Sequence, residues 1–129
     1  MVLKRFSFMD SEVTITEVDT TEIKIYCGLK RMYTGIIYPI DAVYVVLEKY
    51  VNEKSWCVSL TPTQYVYKGG TEPGVIIGLI NYPRFPASPD IILQHAFDIA
   101  KLLMYELFQY RVTVVTNTKT YMLSNPTLL

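Results

Sequence analysis

The sequence predicts an α+β domain of ferredoxin-like βαββαβ order: an antiparallel sheet, two helices on one of its faces, and an extra N-terminal strand. Three observations predict it. Short runs rich in β-branched residues, at 23–28, 75–80 and 111–116, alternate with two stretches whose apolar residues recur at helical spacing. Each of those stretches opens with a helix-start signal, Pro39-Ile40-Asp41 and Ser88-Pro89-Asp90. Between them, Lys68-Gly69-Gly70-Thr71 has turn chemistry and makes the flanking strands a hairpin. At 129 residues, with no internal repeat or low-complexity tract, the chain reads as a single domain.

Taken in order, residues 1–12 are mixed and read as a loose N-terminal arm or a short edge segment. Residues 13–18 alternate apolar and polar, as a half-exposed strand does, and Asp19-Thr20-Thr21 breaks the run. This strand is expected either to form a hairpin with residues 23–28 or to add to a neighbouring subunit. After a loop holding Lys30, Arg31, Tyr33 and Gly35, the first helix places Ile40, Val43, Leu47 and Val51 on one face. A strand bent at Pro62 follows, and then the apolar run Val75-Ile76-Ile77-Gly78-Leu79-Ile80, which suits a strand at the centre of a sheet. In the second helix Ser88 is placed to cap, and Ile92, Ala96, Ile99 and Leu103 mark the buried face to about Phe108. The last strong strand, 111–116, turns at Asn117-Thr118-Lys119 into a short partner.

Composition bounds the function. Charged residues make up only 19% against 50% hydrophobic, and Tyr is frequent, so part of the surface is expected to be covered by other subunits. Net charge is zero, whereas a nucleic-acid binder draws most of its affinity from a basic excess. Ile25-Tyr26-Cys27-Gly28-Leu29 resembles the first-strand motif of the RNA recognition motif, but residues 75–82 lack the basic start and stacking aromatics of its third strand. No stretch is long enough to span a membrane, and no signal core follows the N-terminus, so a cytoplasmic protein is expected. Cys27 and Cys57 lie in strand-like runs without metal-type spacing and read as reduced core residues.

An enzyme is not expected. His95 is the only histidine, the carboxylates are scattered without metal-ligand spacing, and no glycine run forms a phosphate loop, so neither catalytic residues, metal nor cofactor are assigned. What remains is a set suited to an anion bearing an aromatic ring. Arg31 and Tyr33 follow the first core strand, Asn81, Arg84 and Phe85 follow the third, and Arg111 begins the last. The prolines around Arg84 and Phe85 make their loop stiff; the plainer alternative is a connector with Phe85 in the core. Adjacent antiparallel strands end on opposite sides, so these groups would meet most easily across a subunit interface.

Tyr26-Cys27-Gly28-Leu29-Lys30-Arg31-Met32-Tyr33, Asn81-Tyr82-Pro83-Arg84-Phe85-Pro86 and Tyr110-Arg111-Val112-Thr113-Val114-Val115-Thr116 resemble the phage anti-Thoeris proteins of the first described type. The resemblance implies a non-enzymatic phage or prophage anti-defence protein in the host cytoplasm. It would sequester a cyclic nucleotide-like immune signal, glycocyclic ADP-ribose or a cyclic oligonucleotide. It further implies a homo-oligomer, a dimer that can assemble into a hexamer, with pockets at subunit interfaces. Phe85 would stack a base, Arg31 and Arg111 would contact phosphate, and Arg84 and Asn81 would support them. The alternative is a structural or regulatory protein-interaction module of the same fold.

Overall fold

The computed structural model describes the backbone of residues 2–8 and 11–128 and the side chains of residues 12–127. Its elements run β1 (Val2–Phe8), β2 (Ser11–Thr16), β3 (Glu22–Gly28), α1 (Ile40–Lys54), β4 (Ser59–Tyr67), β5 (Gly70–Ile80), α2 (Pro89–Glu106), β6 (Arg111–Val115) and β7 (Thr120–Ser124), with a closing 3-10 turn over Pro126–Leu128. The main sheet has five strands in the order β4-β5-β3-β6-β7, every neighbouring pair antiparallel. Its first four strands keep the ferredoxin-like order, and β7 adds an edge.

Alternation decides which face is buried. Ile23, Ile25 and Cys27 of β3, Val75, Ile77 and Leu79 of β5, and Val112 and Val114 of β6 all lie on the helix side and are fully buried. Val43, Leu47 and Tyr50 of α1 and Ile92, Ala96, Ile99, Leu103 and Met104 of α2 meet them. The opposite face carries Lys24, Tyr26, Ile76, Gly78 and Thr113, which are half-buried or exposed. The apolar run of β5 is therefore closed on one face only. Ser88 caps α2 as expected, its Oγ accepting from the N–H of Ile91 at 3.3 Å.

The structure departs from expectation at the N-terminus and at the end of α2. Val2–Phe8 form a strand, and β2 pairs with it in a separate two-stranded sheet instead of joining β3. The reason is that β5 and β6 already occupy both sides of β3. β4 runs through Pro62 as one strand, as expected, because it is an edge strand and has a side on which no donor is needed. Finally, α2 stops at Glu106 rather than near Phe108. Phe108 takes a left-handed φ of 48°, and the N–H of Gln109 returns to the carbonyl of Met104 at 2.9 Å. This is a Schellman ending with phenylalanine where glycine is usual, and it turns the chain sharply into β6.

Candidate active site

The Schellman turn delivers Gln109, Tyr110 and Arg111 to the end of the sheet where β3 finishes at Gly28. Opposite Gly28 in the ladder stands Gly74, and Glu72 precedes it by two residues in the same strand, β5. The β4–β5 hairpin brings Tyr67 alongside, paired with Gly70 across a tight turn in which Gly69 has φ of 90°. The loop after β3 is pinned by the Lys30–Ile37 bridge and by the N–H of Arg31 donating to Ile36 at 2.8 Å. These four segments enclose a cleft of about 350 Å³, walled among others by Lys30, Tyr33, Tyr67, Glu72, Gln109 and Arg111. That volume is in the range of small-molecule sites.

Within the cleft, Gly28 forms the floor: a Cβ there would stand 3.1 Å from Gln109 Oε1 and 3.8 Å from Glu72 Oε1. Gln109 is buried, and its Nε2 donates to the carbonyls of Lys30 at 3.1 Å and Leu107 at 3.0 Å. The Arg111 guanidinium lies 4.7 Å from the centre of the Tyr110 ring. Tyr33 is 86% exposed with a left-handed φ of 62°, so its ring has no packing partner that would hold it out of reach of a ligand. Beneath the floor, burial first and the Glu72 charge second push the Cys27 thiol up to about 12. That thiol stays protonated and is no nucleophile.

Of the residues singled out in the sequence, Tyr33 and Arg111 line this cleft. Arg31 follows close by, its guanidinium 4.0 Å from the centre of the Phe108 ring. Asn81, Arg84 and Phe85 lie at the other end, since Glu22, not Gly28, faces Ile80 in the ladder. There Asn81 Nδ2 donates to the Asp19 carbonyl at 2.8 Å, and its Oδ1 accepts from the N–H of Ala87 at 3.0 Å. Arg84 and Phe85 are exposed, and the Phe85 ring stands 5.1 Å from that of Tyr82. The loop alternative that buries Phe85 in the core is thereby excluded. The structure thus separates the six residues into two groups of three.

Gln109 and Glu72 are the residues that sequence reasoning missed. Glu72 looks like one turn carboxylate among several until the hairpin register sets it beside Gly28. Gln109 follows a helix whose end the apolar spacing does not mark. His95 is not in the cleft. It lies between the helices, its Nδ1 2.6 Å from Tyr50 Oη and its ring stacked 4.0 Å from Trp56, and burial holds its pKa below the ordinary value. Both cysteines are free, no group of metal-ligating side chains occurs among the described residues, and no described helix is long and apolar enough to cross a membrane.

No family model and no curated protein matches the chain. Among solved structures, it is similar to a phage SAM lyase in complex with S-methyl-5'-thioadenosine, at 17% identity and a TM-score of 0.68, over 82% of this chain and 90% of that one. The same lyase in its apo state matches at 18% identity with the same TM-score and coverage. The likeness establishes the fold. It also overturns the expectation of a non-enzyme, which rested on the scarcity of activated side chains, because a protein of this fold is a lyase. A reaction whose substrate brings its own leaving group needs orientation and placed charge rather than an activated histidine.

Proposed function

We propose that the chain binds an adenosine-bearing small molecule in the Gly28 cleft and cleaves an S-adenosyl sulfonium there. The observation that supports this best is the donor set of the cleft: tyrosine rings, two cations, a carboxylate and a fixed amide oxygen around one floor. Tyr33 and Tyr67 suit an adenine face, and an aromatic face also attracts a sulfonium cation. Lys30 and Arg111 suit a carboxylate. The fold likeness to a lyase solved with a thioether nucleoside supports the same reading.

The chemistry asks little of the protein. When the sulfonium carbon–sulfur bond breaks, the electron pair goes to sulfur and the leaving group departs as a neutral thioether. No general acid is required, and the substrate's own carboxylate can close on the carbon that sulfur leaves. The cleft then has to fold the substrate so that carboxylate oxygen and carbon meet in line, and to keep water from competing. Incubation with S-adenosylmethionine should release S-methyl-5'-thioadenosine, followed by liquid chromatography, well above the rate in buffer. Release at the buffer rate would sink the proposal.

A second reading is favoured by the Tyr82–Phe85 pair beside exposed Arg84, an aromatic and cationic loop suited to a nucleotide. Under it, a cyclic signal such as glycocyclic ADP-ribose binds at that loop, in an oligomer that brings the loop of one subunit to the cleft of another. Binding of that nucleotide lost in Phe85→Ala would support this reading; full retention would remove it.

A further inference from the structure

Gln109 is 6% exposed, so its amide sits in the protein rather than in water. Both hydrogens of Nε2 are used, on the carbonyls of Lys30 and Leu107 at 3.1 and 3.0 Å. Those two acceptors fix which branch of the amide is nitrogen, and therefore where the oxygen is. Oε1 is left facing the floor above Gly28, and among the described residues no donor reaches it. Glu72 Oε1 lies 3.8 Å from the Cβ position of residue 28, and among the described residues Glu72 forms no ion pair. Two acceptors, one of them a full negative charge, thus stand close together over Gly28, 3.1 and 3.8 Å from where a Cβ of residue 28 would lie.

We infer that this spot holds the ammonium of an amino-acid group, with Lys30 and Arg111 taking its carboxylate, so that the cleft reads the amino-acid end of its ligand. The inference rests on the proposed function and adds which end of the ligand lies at Gly28. An ammonium fits better than the exocyclic amine of adenine. The amine is neutral and offers two coplanar hydrogens, whereas an ammonium offers three in a tetrahedral array and answers the unpaired charge of Glu72. A nucleoside without an amino-acid tail presents neither the cation nor the carboxylate.

The test is calorimetric binding of S-adenosylhomocysteine and of S-methyl-5'-thioadenosine to the wild type, Glu72→Gln and Gly28→Ala. Glu72→Gln removes the charge. Gly28→Ala places a methyl group 3.1 Å from Gln109 Oε1, crowding the acceptors from beneath the place proposed for the ammonium. Both variants should weaken S-adenosylhomocysteine by about 10- to 100-fold and leave S-methyl-5'-thioadenosine within about twofold. Near-ultraviolet circular dichroism of the variants should match the wild type. Equal losses for both ligands, or none for S-adenosylhomocysteine, would overturn the inference while adenosine binding stands. If the wild type binds neither, the proposed function falls and takes the inference with it.

Discussion

At the Gly28 end of the sheet a buried amide keeps its oxygen free, whereas at the Ile80 end the amide of Asn81 is consumed on both sides. Gln109 spends its two hydrogens on neighbouring carbonyls and holds an acceptor over an open floor. Asn81 gives a hydrogen to Asp19, takes one from Ala87, and its own backbone N–H goes to Thr21 at 3.0 Å. Both ends also carry arginine and aromatic rings, so composition does not distinguish them. What does is which atom of each amide is engaged: Asn81 is held through nitrogen and oxygen, Gln109 through nitrogen alone. An amide tied through both its nitrogen and its oxygen works as a clamp, whereas one whose oxygen faces a cavity is free to meet a ligand there.

The contrast can be broken most directly at Asn81. Asn81→Ala removes both side-chain bonds and should cost about 1–3 kcal/mol of stability in urea unfolding, with affinity at the Gly28 cleft unchanged. A loss of affinity equal to that of Glu72→Gln would mean that the two ends do not differ in kind. The next effect separates the two exposed groups. Arg111→Ala should lower S-adenosylhomocysteine affinity roughly tenfold, while Phe85→Ala should leave that affinity and the unfolding midpoint nearly unchanged, within about 0.5 kcal/mol. The reverse pattern in calorimetry would move the site to the Tyr82–Phe85 loop.

The smallest effect should touch neither end. Burial keeps His95 from taking a proton in the folded state, so the unfolded chain protonates first. Stability from this group is complete above the ordinary histidine range and is lost as pH falls from about 6.5 through the lowered folded value. Tyr50, its partner, is pushed up to about 12 by burial and then by Asp98. Its contribution is complete below the ordinary tyrosine value near 10 and is lost between there and about 12. A stability profile that instead rose on acidification would show that His95 is a paired cation.

Most of the fold was legible because β3 and β6 alternate, β5 carries a near-continuous apolar run, and each helix has its own start signal. Val2–Phe8 was not, since Lys4-Arg5 interrupts its apolar residues and the strand has only β2 as a partner. The candidate site was half legible. Arg111 and Tyr33 announce themselves by type and by position at strand ends. Gln109 does not, because its role comes from the left-handed turn at Phe108 and from a carbonyl far away in sequence, at Lys30. The error over enzyme function had another origin: it counted activated side chains and did not ask what a substrate could bring.

The strand order has a consequence for how the protein comes into being. β3 is made early, yet one of its two partners, β6, leaves the ribosome only after both helices and the β4–β5 hairpin. Until then an apolar central strand has one unpaired side, a state open to wrong pairings and to chaperones. Closing it requires contacts between distant parts of the chain, which slows folding. The step that finally seals the sheet is also the one that brings Gln109 and Arg111 to Gly28. A chain cut before β6 would therefore lack the walls that Gln109 and Arg111 give the Gly28 cleft, and a ligand of that cleft could act during synthesis only once β6 has emerged.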